Sequence, residues 1–411
     1  SMTIRLKPTR YIPFRKNDIV EMCLATGHWD EKQSERFRKF SQLLQSVFHY
    51  EFHQAQEQLK NAYAPINPDA DTREVKLTNI DHGPDFIDLL ESLLDKANYE
   101  KVSDQDLQQA LREESMFKIR LQVDFNEFSE VLLFCRGQSV RNETLVSWFG
   151  LRKRNISFTN YDRVVVYLKF RQDFDSSEYQ LPVNRAGVTL LKLFQNVPKA
   201  DLEMLFPNTR VRMRAMDKLL IGVPAVISGG IVITTKLGTT LVLLGSLIGY
   251  WIGVHQEPVE LNKAVLIALL AGLGTLGAYL WKQVSNFRNR KLRFIQALTR
   301  NLYFKNLDNN AGVFLRLIND AEEEEAKEAI LAYCFLMISA KAMTSAELDS
   351  EIESWFVERW QTSIDFEVDD ALQKLIRLQL VVPVDDKYSA VELEQALNRL
   401  DAQWDNYFIS A

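Results

Sequence analysis

The chain has 411 residues, 49 lysines and arginines against 55 aspartates and glutamates, a net charge of −6, and 46% hydrophobic residues. That balance excludes a disordered chain, and the three scattered cysteines, Cys23, Cys135 and Cys334, exclude a disulfide framework and point to buried, unreactive thiols in a reducing compartment. Ten of the 16 glycines fall within residues 222–277, where charge nearly vanishes, so a simple cytosolic enzyme is not the default reading.

In chain order, residues 1–115 read as a helical N-terminal region. No apolar core of signal-peptide length follows Ser1-Met2, which reads as an expression remnant, so an insertion signal is expected to be internal. From Gln33 to about Ala62 the residues Phe37, Phe40, Leu44, Val47, Phe48, Phe52, Ala55 and Leu59 advance by threes and fours, the stripe of an amphipathic helix. A second helix is expected over Gly83 to Ala97 and a third over Ser103 to Glu113, behind a serine cap.

Residues 116–200 read as a small α+β domain with an antiparallel sheet. Phe117 to Val123 alternates apolar and polar residues, and Glu130 to Cys135 and Arg163 to Phe170 are β-branched runs. Arg136-Gly137 is expected to turn, and Arg152-Lys153-Arg154 to lie in a connection as a solvated turn, with contact to anionic lipid as the rival role. Residues 201–218 are expected to form a basic juxtamembrane helix.

Residues 219–281 form the membrane block. Uncharged runs cover 219–235, 237–254 and 264–281, each close to the roughly 20 residues that cross a bilayer core of about 30 Å. Pro224 and Gly229-Gly230 weaken the first run, which is expected to be re-entrant or to share one broken helix with the second. Arg210, Arg212, Arg214 and Lys218 stand before the block; Lys282, Arg288, Arg290, Lys291 and Arg293 stand after it. Both flanks are basic, so the positive-inside bias favours an even number of crossings, a helical hairpin with both termini on the cytoplasmic side, over a three-span arrangement that would place one basic flank outside. Gly245, Gly249 and Gly253 on one span, and Ala264, Ala268 and Gly272 on the other, repeat small residues at four-residue spacing, which packs either the hairpin itself or an oligomer. Tyr250, Trp251, Tyr279 and Trp281 fit interfacial anchors.

Residues 282–340 read as a helical stalk and connector: helix to about Tyr303, a break at Asn309 to Gly312, and a strongly apolar helix from Ala329 to Ala340. Four consecutive acids, Glu322 to Glu325, precede that helix and are expected to be mostly solvated near its N-terminus. Residues 341–411 read as an acidic winged-helix-like module: a capped helix from Thr344, a helix over Val368 to Leu378, a hairpin around Asp385-Asp386, and a last helix carrying Leu393, Leu397 and Leu400. Residues 342–411 carry 15 acids and five bases, a surface that repels phosphates and favours protein contact over nucleic acid.

His49 and His53 share a helix face without a third ligand, and no phosphate-cradling, dinucleotide-binding or nucleophile-elbow motif occurs. No catalytic, cofactor-binding or metal-binding residue is assigned, no cofactor is expected, and a non-enzymatic role is the reading.

Five segments are similar to the transmembrane protein 143 family, uncharacterised membrane proteins carrying domain of unknown function 3754: Tyr11 to Asp18, Asp201 to Pro207, Asn301 to Asn310, Ala326 to Ala332 and Phe366 to Leu375. The resemblance implies a paired transmembrane segment in a bacterial or organelle membrane, and no activity. The fold class expected is α+β, mainly α, with a membrane hairpin between the N-terminal part and the winged-helix-like part. The function expected is that of a membrane-anchored interaction or scaffold protein, its partners the bilayer and either another protein or its own copies. The alternative is an oligomeric channel or transporter component built from the glycine-rich helices.

Overall fold

The computed structural model describes residues 8–72, 85–103, 105–107, 120–122, 125–147, 152–173, 187–207, 210–212, 238–254 and 263–407. The chain is mainly helical with a small antiparallel sheet, and it divides into two units: Ser1–Glu113, Asp124–Pro207 and Lys305–Ala411 in the larger, Glu114–Val123 and Asn208–Phe304 in the smaller.

The larger unit is built around one helix. Its helices are α1 (Lys16–Leu24), α2 (Glu31–Tyr63) and α3 (Phe86–Lys96), and, after the smaller unit, α6 (Ala311–Ser339), α7 (Ser345–Trp360), α8 (Val368–Arg377) and α9 (Leu393–Asn406). Helix α6 is apolar around its whole circumference from Ala329 to Leu336, the pattern of a helix enclosed on all sides, and every residue of that stretch is buried. Helix α2 needs only one covered face. Of its predicted stripe, Phe37, Phe40, Leu44, Val47, Phe48, Phe52 and Leu59 are buried and Ala55 is half-buried; Phe40 stacks on Tyr333 at 4.2 Å, and Asp30 with Gln33 closes a capping box at its start. Tyr333 in turn donates to the Val391 carbonyl at 2.7 Å, which ties the C-terminal segment to the same core.

The sheet runs β1 (Glu100–Lys101), β3 (Phe128–Ser147), β4 (Arg152–Phe170), β5 (Thr189–Pro198) and β7 (Asn306–Asn309), every pair antiparallel. Strands β3 and β4 pair from Phe128 opposite Phe170 out to Ser147 opposite Arg152, whereas β5 accompanies β4 only from Lys169 to Asn160. The outer part of the hairpin is therefore a two-stranded ribbon.

Several expectations change here. Arg136-Gly137 lies inside β3 rather than at a turn, and Arg152-Lys153-Arg154 begins β4 opposite Ser147, Val146 and Leu145 rather than forming a connection. Glycine signalled irregularity correctly but of another kind: Gly137 has φ +72° within the strand, a conformation side chains disfavour, and a Cβ there would press into the Asp162 carboxylate. Gly137→Ala is expected to lower unfolding free energy by about 1–2 kcal/mol, measurable by urea titration of the full chain.

Where the helix expected over 201–218 falls on described residues, a 3-10 helix at Lys199–Leu205 and a short strand β6 (Arg210–Arg212), paired with β2 (Arg120–Gln122), stand instead; 208–209 and 213–218 lie outside the described residues. Pro207 explains the stop, because the preceding residue is pushed to extended backbone, and Phe206 has φ −87° and ψ 133°. Parts of the segments expected as separate helical, sheet and C-terminal domains share one hydrophobic core. The C-terminal elements themselves match their expected order: α7 opens with the Thr344–Glu347 capping box, and β8 (Val381–Val384) and β9 (Lys387–Ala390) bracket Asp385-Asp386 ahead of α9.

The smaller unit contains the β2–β6 pair, α4 (Gly238–Trp251) and α5 (Lys263–Lys305), whose last residue belongs to the larger unit. Helix α5 is 43 residues long, about 65 Å, and continues without a breaker, as the sequence implied. Its segment Leu266–Asn286, of mean hydropathy 1.2, is long and apolar enough to cross a membrane; Val242–Trp251 on α4 is a shorter apolar stretch. The run 219–235 lies outside the described residues.

Candidate functional site

Charge is concentrated on α6 just before its apolar half. The acidic run does not sit at a helix start, as expected, but ten or so residues inside α6, and it is not mostly solvated: Glu324 and Glu325 are buried together with Lys327 and Glu328. Each buried carboxylate needs a partner in that setting, since burial of an unpaired charge costs far more than it returns. Lys327 Nζ donates to Glu324 Oε1 at 2.6 Å and to the Ile12 carbonyl at 3.0 Å. Glu324 Oε2 accepts from the Ile12 amide at 3.1 Å and from Asn98 Nδ2 at 3.0 Å, and Asn98 also donates to Glu328 Oε1 at 2.9 Å. Asn98 reaches these acceptors because it closes α3 in the left-handed conformation, at φ 59°, which asparagine tolerates better than most residues.

On the far side of Glu328 stands Lys374 of α8, whose Nζ lies 3.1 Å from Glu328, 3.3 Å from Glu325 and 2.7 Å from Asp370. Burial alone would lower the lysine pKa, but the three carboxylates reverse this and raise it, so Lys374 is a fixed cation. Burial pushes the Glu328 carboxyl up to about 7 against the pull of Lys374 and Asn98, and it raises Glu325 as well. For these acids desolvation outweighs the salt bridge.

Residues of α1, α2 and β3 close the cluster. The Lys16 amide donates to Glu323 Oε1 at 2.8 Å, and His49 Nδ1 lies 3.0 Å from Glu322 Oε2. Arg136 of β3, also buried, lies between the rings of Tyr11 and Tyr99, its Cζ 4.2 and 4.8 Å from their centroids, and reaches Asp320 Oδ2 at 3.4 Å. A cleft of about 140 Å³ opens against Tyr11, Arg15, Arg136, Asp320 and Lys327. A larger open cleft of about 610 Å³ lies where Ser339, Met343, Trp355 and Lys387 meet, but every charged residue on its walls is exposed. Among the described residues, buried acids and lysines gather at α6 and α8, while Asp201 and Glu203 are buried separately on the 3-10 helix Lys199–Leu205.

No group of three or more His, Cys, Asp or Glu arranged to hold a metal occurs among the described residues. Cys23, Cys135 and Cys334 are free and buried. Burial raises the Cys135 thiol to about 12 and Cys334 well above its usual value, so neither is a ready nucleophile.

The residues singled out for helix packing occupy different settings. A Cβ on Gly245 would meet nothing within 4 Å among the described residues, Ala264 and Ala268 are exposed, Gly249 is half-buried and Gly272 is buried. Gly253 lies beyond α4 at φ +77°, where the Val254 amide donates to Gly249 O at 2.8 Å and the Gly253 amide to Tyr250 O at 3.1 Å. It ends the helix as a Schellman motif. Of the flanking bases, Arg210 and Arg212 are on β6; Lys282, Arg288, Arg290, Lys291 and Arg293 are on α5; Arg214 and Lys218 lie outside the described residues.

The buried α6 cluster was not read from the sequence, yet a signal was present. Leu317, Ala321, Glu324, Glu328 and Leu331 continue one stripe by threes and fours, so two acids fall on positions the apolar pattern assigns to the core.

Residues 161–312 match the family model described as protein of unknown function (DUF3754), so this part of the chain carries a domain of an uncharacterised family. The match spans the segments Asp201 to Pro207 and Asn301 to Asn310 and leaves the other three segments outside it. No solved structure matches the chain.

Proposed function

We propose, from the match to an uncharacterised family together with the apolar helices α4 and α5, that the protein is anchored in a membrane and that its larger unit binds protein partners as a scaffold. One observation carries this reading. Within Leu266–Asn286 only 6% of the apolar window is buried, and Leu270 and Trp281 remain 61% and 72% exposed, a surface that water disfavours and lipid accepts. The reading continues as a hairpin of α4 and α5 with both termini on the cytoplasmic side of a bacterial or organelle membrane, the topology the basic flanks favour. The resemblance to the transmembrane protein 143 family supports the paired spans. The helix, helix, hairpin, helix order of residues 345–406 supports a winged-helix-like arrangement, and its acidic surface supports protein rather than nucleic acid as partner.

A second reading, an oligomeric channel or transporter component, is favoured by the open faces at Gly245, Gly274 and Gly277, where a Cβ would meet nothing within 4 Å among the described residues. Ion flux through reconstituted vesicles together with more than one subunit per complex would select it.

Cysteine labelling tests the anchored reading, because the native thiols are buried and give little background. In intact cells a membrane-impermeant maleimide is expected to modify Glu257→Cys from outside, and Lys32→Cys and Ser350→Cys only after the membrane is opened. Labelling of Lys32→Cys in intact cells would overturn the topology, and release of the protein from membranes by alkaline carbonate would overturn the anchorage.

A further inference from the structure

Arg136 is the one member of the ionic cluster whose hydrogen bonding is far from complete. Its side chain is 8% exposed, yet both of its contacts to oxygen, Asp320 Oδ2 and the Ala97 carbonyl, are long, at 3.4 Å, and both are made by Nη1. Neither Nε nor Nη2 has a partner among the described residues. A guanidinium carries five donors in a rigid fork, and since neither of these nitrogens is among the side-chain atoms buried without a partner, both are open to solvent and to a ligand. The hydroxyl of Tyr99, whose ring lies against the guanidinium, is buried without a hydrogen-bond partner. Other charges of the cluster are committed: Glu324 to Lys327, Asn98 and the Ile12 amide, and Glu323 to Lys16. Arg15, exposed on the wall of the same cleft, has no ion-pair partner among the described residues.

We propose that the cleft of about 140 Å³ against Arg136 binds a small oxyanion, with two coplanar oxygens on the Arg136 fork and Arg15 supplying a second cation. The fork geometry selects carboxylate or phosphate oxygens over a spherical anion such as chloride, because only a planar pair of oxygens meets two parallel N–H donors. The volume admits a group of a few heavy atoms. Asp320 is the group that yields. Its 3.4 Å contact with Arg136 is loose, and at 23% exposure it can turn to water when the anion takes the guanidinium.

The test follows the thermal unfolding midpoint of the full-length protein against inorganic phosphate and, separately, acetate, at constant ionic strength made up with chloride. A saturable rise with at least one anion is expected, and which one saturates tells whether the bound group is a phosphate or a carboxylate. Arg136→Lys keeps the charge but loses the fork, and is expected to raise the half-saturating concentration at least tenfold. Arg15→Gln alters an exposed side chain that the fold does not use, and is expected to raise it severalfold, which keeps the test decisive should Arg136→Lys fail to fold. Absence of saturation with both anions, or saturation that Arg15→Gln and any folded Arg136→Lys leave unchanged, would overturn the site.

Discussion

Lys374→Ala is expected to destabilise the protein by roughly 3–5 kcal/mol, the usual consequence of removing one partner from a buried ion pair. The expectation rests on what is left behind. Glu325 and Glu328, 6% and 2% exposed, both lie on the core side of α6 and share this one ammonium on the side facing α8. Without it, water cannot reach them well enough to replace the lost charge, and each must be protonated or drag the helices apart. Asp370, nearly half exposed, tolerates the loss. A compensating variant separates the cost of orphaned charge from the cost of lost packing: Lys374→Met combined with Glu325→Gln and Glu328→Gln removes all three charges at similar volume, and is expected to recover most of the stability. Urea unfolding followed by tryptophan fluorescence reads both. A Lys374→Ala cost below about 1 kcal/mol would mean that the cluster is hydrated and that α6 and α8 are held by apolar contacts alone.

The helices of the larger unit were legible because their periodicity is a local property. The α2 stripe and the enclosed stretch of α6 are written in spacing and composition, and the structure buries them as the spacing required. The sheet was legible only in its apolar runs. The outer ribbon, from about Gln138 to Ser147 and Arg152 to Asn160, is polar enough to read as connection, and only backbone pairing between the two strands identifies it. Pro207 was available to forbid a helix over 201–218 and was outweighed by the surrounding composition. The ionic cluster was hidden for a different reason. A run of four acids carries no statement of which one turns inward, and the partners that make burial tolerable lie far away along the chain: Ile12, Asn98 and Lys374 come from three segments that meet only in the fold. The shared core was hidden on the same ground, since changes in composition mark where elements change and not which elements share a core.

Stability is expected to fall as pH rises from about 5 to about 7.5, opposite to the behaviour of a protein held by ordinary surface carboxylates. Glu328 is the cause. Burial raises its folded-state pKa to about 7, whereas in the unfolded chain a glutamate titrates near 4.3. Between those values the folded protein holds a proton that the unfolded chain has released, so each step up in pH favours unfolding, and the contribution is lost in full only above the folded-state value. The span corresponds to roughly 3 kcal/mol for this one group. Asp349, raised to about 6 by burial and then by its acidic neighbours, acts in the same direction. The carboxyls held low by a partner, Glu21 beside Arg38 and Glu347 in its capping box, act the other way but only below about pH 4.5, outside the window. Lys374, raised, keeps its proton throughout and adds no slope. Glu328→Gln isolates the effect, because the amide keeps an acceptor for Asn98 or Lys374 and cannot titrate. Urea unfolding of wild type and Glu328→Gln across this range should give curves that converge near pH 5 and separate toward pH 7.5, with the wild type losing stability faster. Parallel curves would place the Glu328 carboxyl in its ordinary range, which requires water or a larger share of Lys374 than the geometry at 3.1 Å provides.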